Sequence, residues 1–230
     1  MQRFSAAGKQ ITVYPSVTAG APLVVLNTFG GEGSQVYDAL RQTSNPSCTL
    51  AVIGGLDWGH DMAPWDCPPL APGADPCTGG ADEYLELLLG TILPEVESRL
   101  SVPPAWRGIA GYSLGGLFAL YALYRTDLFA RAASVSGSLW YPGLPAFVQE
   151  HAMLRRPDCL YFSVGDRECR TRNPYLQTVQ QNTELLAAHF QAQGIRTKFV
   201  LNPGGHGKHA ARRTADGIFW MLNPDETANP

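Results

Sequence analysis

A chain of 230 residues, 45% hydrophobic and 16% charged, is long enough for one well-buried core and short for two, so one domain over 1–230 is expected. Its net charge of −3 and scattered lysines and arginines leave no basic stripe to neutralise phosphates, which excludes nucleic acid as the expected partner. No apolar run is long enough to cross a bilayer, and residues 1–11 (MQRFSAAGKQI) are too polar for a leader, so a cytoplasmic protein without a membrane partner is expected.

Short apolar runs alternate with helical patterns along the chain. Leu23–Asn27 (LVVLN), 50–54 (LAVIG), 109–111, 132–136 (AASVS), 160–164 (LYFSV) and 197–201 (TKFVL) read as strands. Most are apolar at every position, as strands of a parallel sheet covered on both faces must be. Helices are expected over 34–41, 82–99 (kinked at Pro94), 114–124, 175–193 and Ala210–Leu222. This alternation points to an α/β fold with a mostly parallel central sheet flanked by helices.

Residues 56–80 (LDWGHDMAPWDCPPLAPGADPCTGG) break the rhythm. A loop of that length is usually functional or disordered, and its two tryptophans speak against disorder. Trp58 and Trp65 are therefore candidates for a substrate wall. The five cysteines are irregularly spaced and form neither a disulfide framework nor a zinc site. Free thiols are expected, with Cys67 and Cys77 able to pair if oxidised.

The chemistry-bearing signal is Gly111-Tyr112-Ser113-Leu114-Gly115-Gly116, a G-x-S-x-G pattern between an apolar strand and an apolar helix. A strand turning that sharply into a helix leaves the serine at the tip, and a Cβ two residues to either side would strike backbone. The turn also sets Ser113 at a helix N-terminus, where unpaired N–H groups favour negative charge. A serine of ordinary acidity needs a base, and in this fold the base follows the last strand. His206, in Pro203-Gly204-Gly205-His206-Gly207, fits that place; His209, three residues on, is the rival and falls where the last helix begins. The orienting acid should follow 160–164, where Gly165-Asp166-Arg167-Glu168 offers two carboxylates, and spacing does not choose between them. The oxyanion donors expected are the backbone N–H of Leu114 and that of Thr28 or Phe29, in the glycine-rich stretch after Leu23–Asn27.

Together these residues resemble the esterase branch of the α/β hydrolases that includes enterochelin esterases, feruloyl esterases and mycolyltransferases. GYSLGG at 111–116, Ser136-Gly137-Ser138-Leu139-Trp140, the 165–168 turn and Gly204-Gly205-His206 carry the resemblance, which runs from Val13 over nearly the whole chain. It implies a hydrolase without a large cap domain, Ser113 as nucleophile and His206 as base. Matching Gly165 to the family's turn glycine implies Glu168 as the acid, and Trp140 is implied near the substrate. The expected activity is hydrolysis of small acyl or aryl esters through an acyl-enzyme, with a small-molecule ester as partner and neither metal nor cofactor. The rivals are acyl transfer to an alcohol and an idle binding protein on the same scaffold.

Overall fold

The computed structural model describes residues 1–43 and 47–225. The chain opens with a hairpin, β1 (Gln2–Ala6) and β2 (Lys9–Tyr14), turned at Ala7 and Gly8, both with positive φ. Such a two-residue turn matches the twist of its strands. Then follow β3 (Leu23–Asn27), α1 (Gly33–Thr43), β4 (Thr49–Gly54), the one-turn helix α2 (Trp58–Asp61) and a small ribbon of β5 (Asp66–Cys67) and β6 (Cys77–Thr78). Next come α3 (Ala81–Leu87), a π-turn (Leu88–Ile92) and α4 (Leu93–Glu97). The remainder alternates: β7 (Arg107–Tyr112), α5 (Leu114–Arg125), β8 (Phe129–Val135), α6 (Leu144–Glu150), β9 (Cys159–Gly165), α7 (Val179–Ala192), β10 (Arg196–Asn202) and α8 (Ala210–Leu222).

Eight strands form one sheet in the order β1-β2-β4-β3-β7-β8-β9-β10. From β4 to β10 every pairing is parallel, while β1 and β2 join antiparallel at one edge. This is the α/β-hydrolase fold. Side-chain alternation explains why the central strands are apolar throughout: Leu23 and Val25 of β3 enter one core layer, and Val24 and Leu26 the other. Helix α5 lies between sheet and outer helices, and its residues from Gly115 to Tyr124 are all buried. A helix covered all round must be apolar all round.

Three local outcomes differ from the sequence expectation. The hairpin β1–β2 covers a segment expected only to be polar, because Ile11 and Val13 alternate inward against β4. The single helix expected over 82–99 is broken by a π-turn just before Pro94, which itself falls in the first turn of α4, where a missing N–H is tolerated. The 56–80 stretch is not bare loop, since α2 and the ribbon tie it down. Among the described residues no helix is long and apolar enough to cross a membrane.

Candidate active site

Ser113 stands between the end of β7 and the start of α5 with φ 58° and ψ −124°, a backbone state that costs a non-glycine residue about 1–3 kcal/mol. The surrounding bonds hold it there. Ser113 N–H donates to Val135 O at 3.2 Å, while the Ser113 carbonyl accepts from Gly116, Leu117 and Ser138 N–H at 2.9–3.1 Å. The flanking glycines are steric necessities: a Cβ on Gly111 would overlap the Gly115 backbone, and one on Gly116 would meet Gly111 O and Gly137 Cα at 3.0 Å. The turn therefore presents Oγ at the sheet's carboxyl edge.

Two other strand ends complete the constellation. Beyond β10, His206 Nε2 lies 3.1 Å from Ser113 Oγ, and its Nδ1 lies 2.7 Å from Glu168 Oε2. Glu168 hangs from the turn after β9 and is buried, with 3% of its side chain exposed. Its Oε1 accepts Gly165 N–H at 2.6 Å and Arg213 Nη1 at 3.2 Å. Burial pushes the Glu168 carboxyl up, but bonds from His206, the Gly165 amide and Ser136, with the imidazole's charge, outweigh it and leave the pKa below the usual glutamate value. Asp166, the alternative carboxylate, accepts Gly204 N–H at 2.6 Å and so pins the histidine loop instead of the imidazole. Tyr112 Oη donates to His206 O from beneath.

Arg213 is the residue the sequence reading missed. It projects from α8, is 3% exposed, and besides Glu168 it donates to Ser136 Oγ at 3.2 Å, Pro203 O at 3.2 Å and Tyr112 Oη at 3.4 Å. The available signal was an arginine on the apolar stripe of α8, four and seven residues before the buried Gly217 and Trp220. Ser138 was also missed; its Oγ lies 3.4 Å from Ser113 Oγ.

The oxyanion expectation needs one correction. Thr28 N–H donates to Ile53 O at 2.9 Å, and its Oγ1 donates to the same oxygen, so Thr28 is spent on the β4 side. Phe29 lies in the bend beyond β3, outside the strand pairing, so its N–H is not taken up by β4. That N–H is held by Glu32 Oε1 at 2.8 Å, and Gly30 N–H by Glu32 Oε2 at 2.8 Å. Leu114 is the first residue of α5, so its N–H has no acceptor within the helix.

Two cavities meet at Ser113 and His206, with Trp58 bordering both. One, of about 390 Å³, is walled by Trp58, Leu70, Cys77, Trp140, Leu176 and Val179. The other, of about 420 Å³, is bordered by Phe29, Glu32, Trp58, Tyr112 and the start of α8. Trp65 is a second correction. Its Nε1 donates to Pro142 O at 2.8 Å and its ring packs on Tyr121, Tyr141 and Phe147, so it supports the loop from behind and borders neither cavity. His209 begins α8 in the left-handed conformation and borders neither cavity. Cys67 and Cys77 face each other in the ribbon as free thiols, and burial pushes the Cys67 thiol up to about 11.

A serine on a strand-to-helix elbow, at the carboxyl edge of a parallel sheet, marks a carboxylic-ester hydrolase of the α/β-hydrolase fold. The chain belongs to the family described as "Putative esterase", whose model matches residues 28–213. Among related proteins, the uncharacterized protein YbbA of Bacillus subtilis is 22% identical over 226 residues, 93% of this chain and 90% of that protein. The siderophore enterobactin esterase of Emericella nidulans is 25% identical over 235 residues, covering 80% of this chain and 75% of that one. Among solved structures, the siderophore hydrolase EstB from Aspergillus nidulans superposes with a TM-score of 0.73 at 20% identity, over 99% of this chain and 96% of its own. An IroE-like serine hydrolase from Shewanella oneidensis gives 0.74 at 17% identity, over 91% and 74%.

Proposed function

We propose that this chain hydrolyses small carboxylic esters by acyl transfer through Ser113. The observation that carries the reading is the unbroken relay Ser113 Oγ–His206 Nε2–Nδ1–Glu168 Oε2, with steps of 3.1 and 2.7 Å. Oγ attacks the ester carbonyl carbon while its proton passes to Nε2, and Glu168 stabilises the imidazolium that forms. Leu114 and Phe29 N–H receive the oxyanion, with Glu32 yielding the Phe29 amide. The alcohol leaves with the proton from Nε2. Water, deprotonated by the same nitrogen, then attacks the acyl-enzyme and releases the acid.

The cavity between Trp140, Leu176 and Val179 suits the acyl group, since its walls are apolar and fixed. Siderophores are the substrates named for several relatives, and those names belong to those proteins. The lining here favours an uncharged short acyl or aryl group. Five free cysteines support a reducing, cytoplasmic setting.

The test is labelling with a fluorophosphonate and hydrolysis of p-nitrophenyl acetate. Labelling of Ser113 alone, with both labelling and turnover lost in Ser113→Ala, is the expected outcome. Full turnover by Ser113→Ala refutes the proposal.

A further inference from the structure

We infer that the cavity on the Phe29–Glu32 side of Ser113 binds a cation, so that the preferred esters carry a quaternary or protonated amine on the alcohol. This rests on the esterase reading above and adds to it the chemistry of the leaving group.

Three aromatic residues and one carboxylate border this cavity. Phe29, Trp58 and Tyr112 supply the rings, and Phe29 meets Trp58 edge-to-face at 5.6 Å. Phe29 is 71% exposed, which gives no packing reason for an aromatic side chain at that position. Rings around a concave space present the negative faces that attract ammonium groups, quaternary ones above all. Glu32 adds a full negative charge, and its two oxygens are fixed by Phe29 and Gly30 N–H at 2.8 Å each. Among the described residues no lysine or arginine pairs with Glu32 or borders the cavity. The nearest buried cation, Arg213, stands behind Tyr112 with its charge engaged by Glu168 at 3.2 Å. The other cavity has no acidic residue but Glu168, which is engaged by His206 and Arg213.

The reaction itself sharpens the argument. In the mechanism proposed above Phe29 N–H receives the oxyanion, and the same N–H is the group that Glu32 grips. The developing oxyanion therefore forms within a few ångströms of a carboxylate, and like charges so close oppose each other. An ammonium on the leaving alcohol lies between the two and turns that repulsion into attraction. A neutral ester of the same shape gets no such relief. Glu32 thus acts as a specificity residue that penalises neutral alcohols and favours cationic ones.

The experiment compares acetylcholine with 3,3-dimethylbutyl acetate, its neutral isostere, in the wild-type protein and in Glu32→Gln and Phe29→Leu. A cation held by aromatic faces gives about a 30-fold advantage in kcat/KM, which is expected for acetylcholine in the wild type. The ratio should fall several-fold in each of Glu32→Gln and Phe29→Leu, and shrink with added salt in the wild type. Choline should inhibit hydrolysis of p-nitrophenyl acetate competitively, and 3,3-dimethylbutanol should do so much more weakly. A ratio near or below one in the wild type, with the isostere turned over, overturns the cation site and leaves the esterase reading intact. So does a wild-type ratio that Glu32→Gln fails to lower. A preference seen only when the cation is on the acyl half, as in trimethylglycine ethyl ester, also overturns it. Failure of all esters, with no labelling of Ser113, refutes the esterase reading, and this proposal falls with it.

Discussion

Replacing Glu168 with glutamine exchanges one oxygen for an NH2 and leaves the shape of the side chain intact. The surroundings decide which end is which. The Oε1 position receives Gly165 N–H at 2.6 Å and the Arg213 guanidinium at 3.2 Å, both donors. The amide oxygen must take that position, so the NH2 points at His206 Nδ1, where the carboxylate oxygen stood at 2.7 Å. A donor there forces Nδ1 to accept, and the imidazole proton moves to Nε2. Nε2 then faces Ser113 Oγ at 3.1 Å as a donor and cannot take the serine's proton. In a serine protease this tautomer error costs about 10⁴ in kcat. Here Asp166 offers no substitute, since its carboxylate is committed to Gly204 N–H at 2.6 Å. We expect kcat of Glu168→Gln to fall about 10³- to 10⁴-fold on p-nitrophenyl acetate with KM little changed. Asp166→Asn keeps an oxygen for Gly204 and should lose less than about tenfold. Steady-state kinetics of the two variants checks both. A loss under tenfold in Glu168→Gln would show that a serine–histidine pair suffices, and a larger loss in Asp166→Asn would transfer the orienting role.

The same residue gives a pH signature. Glu168 has its pKa lowered from the ordinary 4.5, so its ionised form stabilises the fold above that value and the gain is lost as pH falls through the lower folded value; the Tm gap between wild type and Glu168→Gln should be full at pH 7 and close toward pH 3. Arg213→Met leaves the buried Glu168 without its guanidinium, and denaturant unfolding should show a loss of about 3–5 kcal/mol, partly restored in Arg213→Lys; a loss below about 1 kcal/mol would mean that the pair is idle. Leu176→Trp fills part of the apolar cavity, so turnover of butyrate relative to acetate esters should drop at least about tenfold, and an unchanged ratio would move the acyl group elsewhere.

The parts of this site that are legible in the sequence are those fixed by local geometry. Gly111 and Gly116 are required by backbone contact within the elbow itself, against Gly115 and Gly111 O respectively, so a six-residue string carries the turn. His206 is likewise placed by glycines and by its position after an apolar strand. Choices that depend on distant atoms are not legible from spacing. Glu168 turns inward because Gly165 N–H and Arg213 receive it, and Asp166 turns aside because Gly204 N–H does. Thr28 and Phe29 are adjacent in sequence, but Thr28 N–H donates to Ile53 O and Phe29 N–H to Glu32 Oε1, and which one pairs with Ile53 O depends on strand register. Trp58 and Trp65 sit in one aperiodic stretch where no period says which faces the substrate. Strand β1 is an edge strand of polar residues and carries almost no apolar signal, whereas the inward alternation of Ile11 and Val13 marks β2.

Arg213 links the site to the packing of the last helix in a way that can be measured. One guanidinium joins Tyr112 at the end of β7, Ser136 after β8, Glu168 after β9 and Pro203 after β10. Four strand ends are thus held in common by a side chain whose own position depends on how closely α8 lies on the sheet. Gly217, one turn along the same helix, sets that distance: a Cβ there would come within 2.9 Å of Val135 Cγ2 and 3.0 Å of the Tyr161 ring. Gly217→Ala should push α8 outward by a few tenths of an ångström, at an overpacking cost of about 1–3 kcal/mol. The shift carries Arg213 away from Glu168 and loosens the acid–imidazole contact, while the apolar cavity lies on the opposite face of the sheet among residues packed with α5 and α7. A misplacement of about 1 Å can cost 10²-fold in rate, so a shift of this size should lower kcat about tenfold and leave KM nearly unchanged. As control, Ile218→Val thins the same helix–sheet contact without pushing the helix outward, and should cost stability with little loss of kcat. Equal kcat losses in the two variants, or a KM effect as large as the kcat effect in Gly217→Ala, would show that Arg213 stabilises the fold without positioning the acid.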